Sequence, residues 1–230
     1  GIGGWQPFDA AYVYTKKYGD CKALTNYMNA LLKEAGIPSI YTLVKAGAGI
    51  TRFMEDFPSS QFNHVILCVP NGNDSIWLEC TSQNMQAGYL GDFTNDRPVL
   101  LVKQSGSKLI RTPVYTINQN TQYRKIDASV NEAGTLDCKV TTSYRAIQQD
   151  DVHSMISILP IDKQKEYLQK KFSLGTYEIK SMKYTETMQD VPEIVEDLQI
   201  QATHYAQITG KRLMISPNIL SRSNWRLDKD

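Results

Sequence analysis

Apolar side chains set the first pattern in the chain. Residues 9–18 have the makings of a short helix, which Tyr18-Gly19-Asp20 interrupts. From Cys21 onward Leu24, Tyr27, Met28, Leu31 and Leu32 recur at steps of three and four, until Gly36 and Pro38 stop them. With Asp20 as N-cap, this spacing predicts a helix that starts at Cys21. The pattern then changes to strands. Ile40 to Val44 reads as one, residues 45–60 with Gly47, Gly49 and Pro58 as a loop, and Phe62 to Val69 and Ser75 to Thr81 as two more joined through Pro70-Asn71-Gly72-Asn73. Residues 83–98 are polar and Gly-bearing, suited to a loop beside a cleft, and Val99 to Lys103 is a further strand. Ser, Gly, Asn, Gln and Thr recur from Gln104 to Gln122, which places a domain boundary near residue 117. Beyond it, strand-like segments at 123–130, 136–145, 177–185, 195–205 and 212–215, with one helix at 162–172, predict a small β-rich, sandwich-like domain. The expected division is 1–116 and 117–230.

The composition narrows the classes. With 230 residues, 41% hydrophobic and 21% charged, the chain has the makeup of a globular protein of one large or two modest domains. A formal charge of +1 supplies no field to attract nucleic acid or an anionic membrane. Thirteen tyrosines are dispersed without a basic stripe, so they form no nucleic-acid signature. No run of eighteen apolar residues is present to span a bilayer. The chain opens at Gly1 without Met and reaches the Cys21 helix within twenty residues, as expected of a piece whose front, with any leader, is missing. The four cysteines, Cys21, Cys68, Cys80 and Cys138, lack CxxC spacing, so neither a zinc ribbon nor a dense disulfide framework is indicated. His64 and Cys68 share a strand face, but at ~3.3 Å per residue they stand too far apart for one ion. No metal or cofactor site is expected. His153 and His204 have no partner motif and read as structural or solvated.

Three residues together suggest chemistry. Cys21 in the first turn of a helix meets unpaired N–H groups and the positive end of the dipole, which favour the thiolate; cysteine also serves as a small buried hydrophobe. His64 shares a strand face with Phe62, Ile66 and Cys68, and Glu79 shares one with Trp77 and Thr81. A two-residue turn at Asn71-Gly72 would set His64 directly opposite Glu79. A four-residue loop, Asn71 to Asp74, would make the contact diagonal but keep the face. Either register yields a nucleophile, a base and an orienting carboxylate. Taken singly, His64 could be a satisfied core histidine and Glu79 an edge charge.

At these residues the chain resembles the bacterial transglutaminase-like superfamily. Tyr18-Gly19-Asp20-Cys21-Lys22, followed by Leu31-Leu32 and Ala35-Gly36-Ile37-Pro38, is similar to that family's catalytic Cys helix and its exit. Phe62-Asn63-His64-Val65 is similar to its His strand, and Trp77-Leu78-Glu79-Cys80-Thr81 to its acidic strand, where Asp is usual in place of Glu79. Asp74, in the turn, is a substitute that fits the motif less well. The resemblance covers about the first hundred residues. It implies an α+β fold: a transglutaminase-like, papain-like core with the Cys helix packed on an antiparallel sheet, followed by the β-rich domain with one helix. It further implies a Cys21, His64, Glu79 triad acting on protein or peptide amides through a thioester, as peptidase, amidase or acyl transferase. Gly4-Trp5-Gln6-Pro7 resembles the segment before the Cys helix, making Gln6 a candidate oxyanion donor beside the Cys21 N–H. The resemblance implies multidomain, periplasmic or extracellular components of the bacterial envelope, with a preceding β domain that would be missing from this piece. The alternative expectation is a catalytically silent module of the same fold that binds or scaffolds.

Overall fold

The computed structural model describes residues 4–47 and 52–220, so the part of the expected 45–60 loop at 48–51, including Gly49, lies outside the described residues. The architecture is α+β, and the chain divides into two compact units, Gly1–Gln119 and Asn120–Asp230.

In the first unit, helices α1 (Ala10–Lys16) and α2 (Cys21–Glu34) precede strands β1 (Ile40–Val44), β2 (His64–Asn71), β3 (Asp74–Leu78), β4 (Pro98–Leu101) and β5 (Lys108–Arg111). The strands form one antiparallel sheet in the order β3-β2-β1-β4-β5. Asp20 caps α2 by accepting the Ala23 N–H at 3.0 Å. Gly36 ends it at φ +73°, with Gly36 N–H donating to Lys33 O and Ile37 N–H to Leu32 O, the paired bonds of a Schellman stop. Gly19 lets the entry pack closely, since a Cβ there would stand 2.9 Å from Ala23 Cβ. β2 is buried from His64 through Val69 and carries the core with Val44, Val99, Leu101, Trp77 and Leu90. Each such fully buried aliphatic side chain contributes about 1.5–3 kcal/mol.

β5 lies inside the stretch expected to be linker. Only two apolar residues, Leu109 and Ile110, mark it in sequence, yet it completes the sheet edge against β4. Tyr115 also belongs to this unit: its hydroxyl donates to Leu90 O and accepts from Leu90 N–H, at 3.0 and 3.1 Å. Polar composition therefore marks an edge strand here rather than a connection, because an edge strand needs apolar residues on few positions.

The second unit contains β6 (Gln122–Val130), β7 (Leu136–Arg145), a 3-10 turn (Ala146–Gln149), α3 (Asp150–Ile158), α4 (Ile161–Lys171), β8 (Thr176–Met188) and β9 (Pro192–Thr203). A hairpin of β10 (Gln207–Thr209) and β11 (Arg212–Met214) follows. The main sheet is antiparallel in the order β6-β7-β9-β8. Alternation of buried with half-buried or exposed positions along β7 and β9 gives it one apolar face. Leu168 and Phe172, in α4 and just after it, pack on that face against Leu136, Val140, Leu198 and Ile200, and Val152 and Met155 of α3 pack against Tyr144 and Ile194. Two helices, not one, thus cover the sheet, and among the described residues a helical layer stands where sandwich-like packing would put a second sheet. α3 escapes sequence reading because it follows the 3-10 turn directly and has no side-chain cap. Between the two apolar clusters, Glu196 is wholly buried and accepts the hydroxyls of Tyr144 and Tyr184, each at 3.0 Å. His153 pairs with Glu186 at 2.9 Å, near the surface.

Candidate active site

The arrangement begins with the β2–β3 hairpin. Its turn is Gly72-Asn73, with Gly72 at φ +61° in the position where a two-residue hairpin turn requires positive φ, and Asn71 pairs with Asp74. The register is the one a four-residue loop would give, two residues away from an Asn71-Gly72 turn. Pairing ends at Leu67 with Leu78. Extended past that point, the register sets Thr81 opposite His64 and Glu79 on the diagonal.

Glu79 crosses that diagonal. Its two carboxylate oxygens each lie 3.0 Å from His64 Nε2, and the side chains of both residues are nearly buried. Thr81 fixes the carboxylate from the other side, donating to Glu79 Oε1 from its hydroxyl at 2.6 Å and its N–H at 3.2 Å.

Cys21 reaches the same imidazole from the first turn of α2. Thr25 Oγ1, one turn further along, donates to Val65 O at 3.2 Å and holds the start of the helix over the start of β2. The Cys21 thiol and the His64 ring interact and shift each other's titration. The His64 hydrogen bond, reinforced by the His64 and Lys22 charges, draws Cys21 below the ordinary thiol range against the opposing effects of burial and Asp20. Burial would lower His64, but hydrogen bonds to Cys21 and Glu79, with their charges, raise it to about 9. Both shifts favour a thiolate–imidazolium pair at neutral pH. The other three thiols move the opposite way. Burial pushes Cys80 up to about 11 and also raises Cys68 and Cys138.

Three neighbours have no role assigned by sequence reasoning. Lys22 is buried beside the nucleophile, with Nζ 2.5 Å from Asp20 Oδ2. The Tyr41 hydroxyl is buried without a partner and interacts electrostatically with Cys21 and Asp20. Phe93 stands edge-on to the His64 ring, centroids 5.3 Å apart. Thr81 and Lys22 fall within the motif segments, whereas Tyr41 and Phe93 are brought in by strand order and loop folding that no local pattern encodes. Gln6 is exposed; its segment is tied to α2 by Asn26 Nδ2, which donates to Phe8 O at 2.9 Å. Among the described residues no group of three His, Cys, Asp or Glu is arranged to hold a metal ion, and no helix is long and apolar enough to cross a membrane.

The site is thus a thiol at the N-terminus of a helix, coupled electrostatically to an imidazole that a buried carboxylate holds by hydrogen bonds. Comparison of the chain with protein-family models, with curated proteins and with solved structures finds no match.

Proposed function

We propose that this protein is a cysteine-dependent enzyme that acts on amide bonds through a thioester. Within that class we read it as transglutaminase-like, with Cys21 as nucleophile, His64 as base and acid, and Glu79 as the orienting carboxylate. The observation that carries the reading is an imidazole held by both oxygens of Glu79 and coupled electrostatically to the Cys21 thiol at a helix N-terminus.

The chemistry follows from that arrangement. Cys21 Sγ attacks the amide carbonyl carbon; the S–C bond forms, the C–N bond breaks, and the proton taken by His64 goes to the departing nitrogen. Water or a second amine then attacks the thioester, gives its proton to His64, and releases the thiolate. The backbone N–H of Cys21, with Gln6 as a second donor, is proposed for the oxyanion. Protein or peptide amides are the proposed substrates, and a periplasmic or extracellular envelope setting with a preceding β domain goes with the resemblance.

The test has two readouts. Iodoacetamide should label Cys21 faster than Cys68, Cys80 and Cys138 at neutral pH, and His64→Ala should slow it. Cys21→Ala should abolish release of peptide or amine from a casein-type substrate that the wild type processes. Equal slow labelling of all four thiols refutes the coupling. Selective labelling without turnover, by water or by added amines, returns the protein to the reading of a binding or scaffolding module.

A further inference from the structure

Exposed apolar side chains are common singly and mean nothing by themselves. Phe93 differs in what holds it. The loop that carries it is tied down on both sides: Asn95 Nδ2 donates to Gly91 O at 2.7 Å, Thr112 Oγ1 donates to Thr94 O at 2.8 Å, and Gly47 N–H donates to Phe93 O at 3.0 Å. Leu90, Gly91, Thr94 and Asn95 are buried around it. Phe93 itself remains 46% exposed, with its ring inclined 66° to His64 at a centroid distance of 5.3 Å. A well-anchored loop therefore presents a half-open aromatic face at the imidazole.

The chemistry fixes what that face meets. For His64 to protonate the departing nitrogen, the nitrogen must come within hydrogen-bond reach of the ring. Whatever is attached to that nitrogen is then held near the ring that Phe93 faces. An attacking amine enters at the same place, since it is protonated and deprotonated by the same imidazole. We propose that Phe93 forms an apolar subsite for the amine side of the reaction, so that this protein selects amides whose departing residue, or acceptors whose amine, carries an aromatic or branched aliphatic group. This inference rests on the proposed thioester chemistry for its place in the reaction, but its apolar subsite is testable without it.

The probes are iodoacetamide and N-(2-phenylethyl)iodoacetamide, each compared with its own rate on free cysteine, with Cys21 labelling followed by mass spectrometry. Wild type should favour the phenylethyl reagent about tenfold, the selectivity one apolar contact supplies. Phe93→Ala should bring the ratio close to one, and Phe93→Leu should retain most of it. No preference in the wild type, or a preference that survives Phe93→Ala, overturns the proposal. The ratio needs no turnover, so a protein that shows it yet cleaves nothing keeps the subsite and loses the enzymatic reading. Where turnover is found, peptides with Leu after the cleaved bond should exceed those with Asp in kcat/KM by a similar factor, and Phe93→Ala should erase the difference.

Discussion

Replacing Glu79 with Gln removes a charge while keeping the side chain's shape and one acceptor. In the native site the carboxylate presents both oxygens to His64 Nε2 at 3.0 Å and takes two further bonds from Thr81. His64 is 7% exposed. Burial there opposes the imidazolium, and bonds to Cys21 and Glu79 reverse this, lifting the ring from 6.5 to about 9. That net lift corresponds to about 3 kcal/mol, the amount by which the two partners outweigh the opposing burial. A hydrogen bond to a charged group contributes about 1.5–3 kcal/mol, so losing the Glu79 charge should cut the ion-pair population about ten- to a hundredfold where that pair is the minor form. The direction with pH follows from the two shifts. His64 is raised, so its protonated form persists up to about 9; Cys21 is lowered, so its thiolate persists below the ordinary thiol value. The reactive pair occupies the window between. In Glu79→Gln the window should shrink from both sides, with Cys21 labelling moving toward the alkaline profile of a free thiol. Iodoacetamide rates measured from acid to alkaline pH, with far-UV CD melting to establish folding, decide it. A Glu79→Gln profile superposable on that of the wild type would refute the coupling as the source of reactivity.

Thr81→Val removes the 2.6 Å hydroxyl bond to Glu79 and should slow Cys21 labelling by a factor expected of about 1 kcal/mol, with little change in melting. Tyr184→Phe leaves one oxygen of the fully buried Glu196 without its phenol donor and should cost about 1–3 kcal/mol in urea unfolding. Gly36→Ala and Gly134→Ala separate strain from collision: both glycines have positive φ, +73° and +75°, but a Cβ at Gly36 meets nothing within 4 Å, whereas one at Gly134 stands 2.8 Å from Ala206 O. Gly36→Ala should cost about 1 kcal/mol and Gly134→Ala clearly more, with equal losses counting against the distinction.

Sequence periodicity reached furthest where one pattern determines one element. α2 shows its cap, its apolar stripe and its glycine stop within the seventeen residues from Asp20 to Gly36. β7 and β9 likewise alternate throughout their lengths. β5 and α3 were not legible, the first because an edge strand carries so few apolar residues, the second because Val152, Met155 and Ile156 follow a 3-10 turn without a capping side chain. In the site, Tyr41 and Phe93 could not be read either. Tyr41 comes under the electrostatic influence of Cys21 through the placing of β1 beside β2, and Phe93 meets His64 because the loop before β4 folds back to Gly47.

The pairing of His64 with Glu79 follows a different logic, since its register was open between two values and the face was not. Side chains alternate with a period of two, so any even slip of β3 against β2 keeps both residues on one side of the sheet and changes only whether they are opposite or diagonal. The Gly72-Asn73 turn selects the register that, carried past the last pair, Leu67 with Leu78, makes the two diagonal. Diagonal neighbours are about 7–8 Å apart at the backbone, a span that suits a longer side chain better than a shorter one. The Glu79 side chain spans that distance and brings both of its oxygens within 3.0 Å of Nε2. Register and side-chain length are therefore one property of the hairpin, and a change in either without the other would separate the carboxylate from the imidazole.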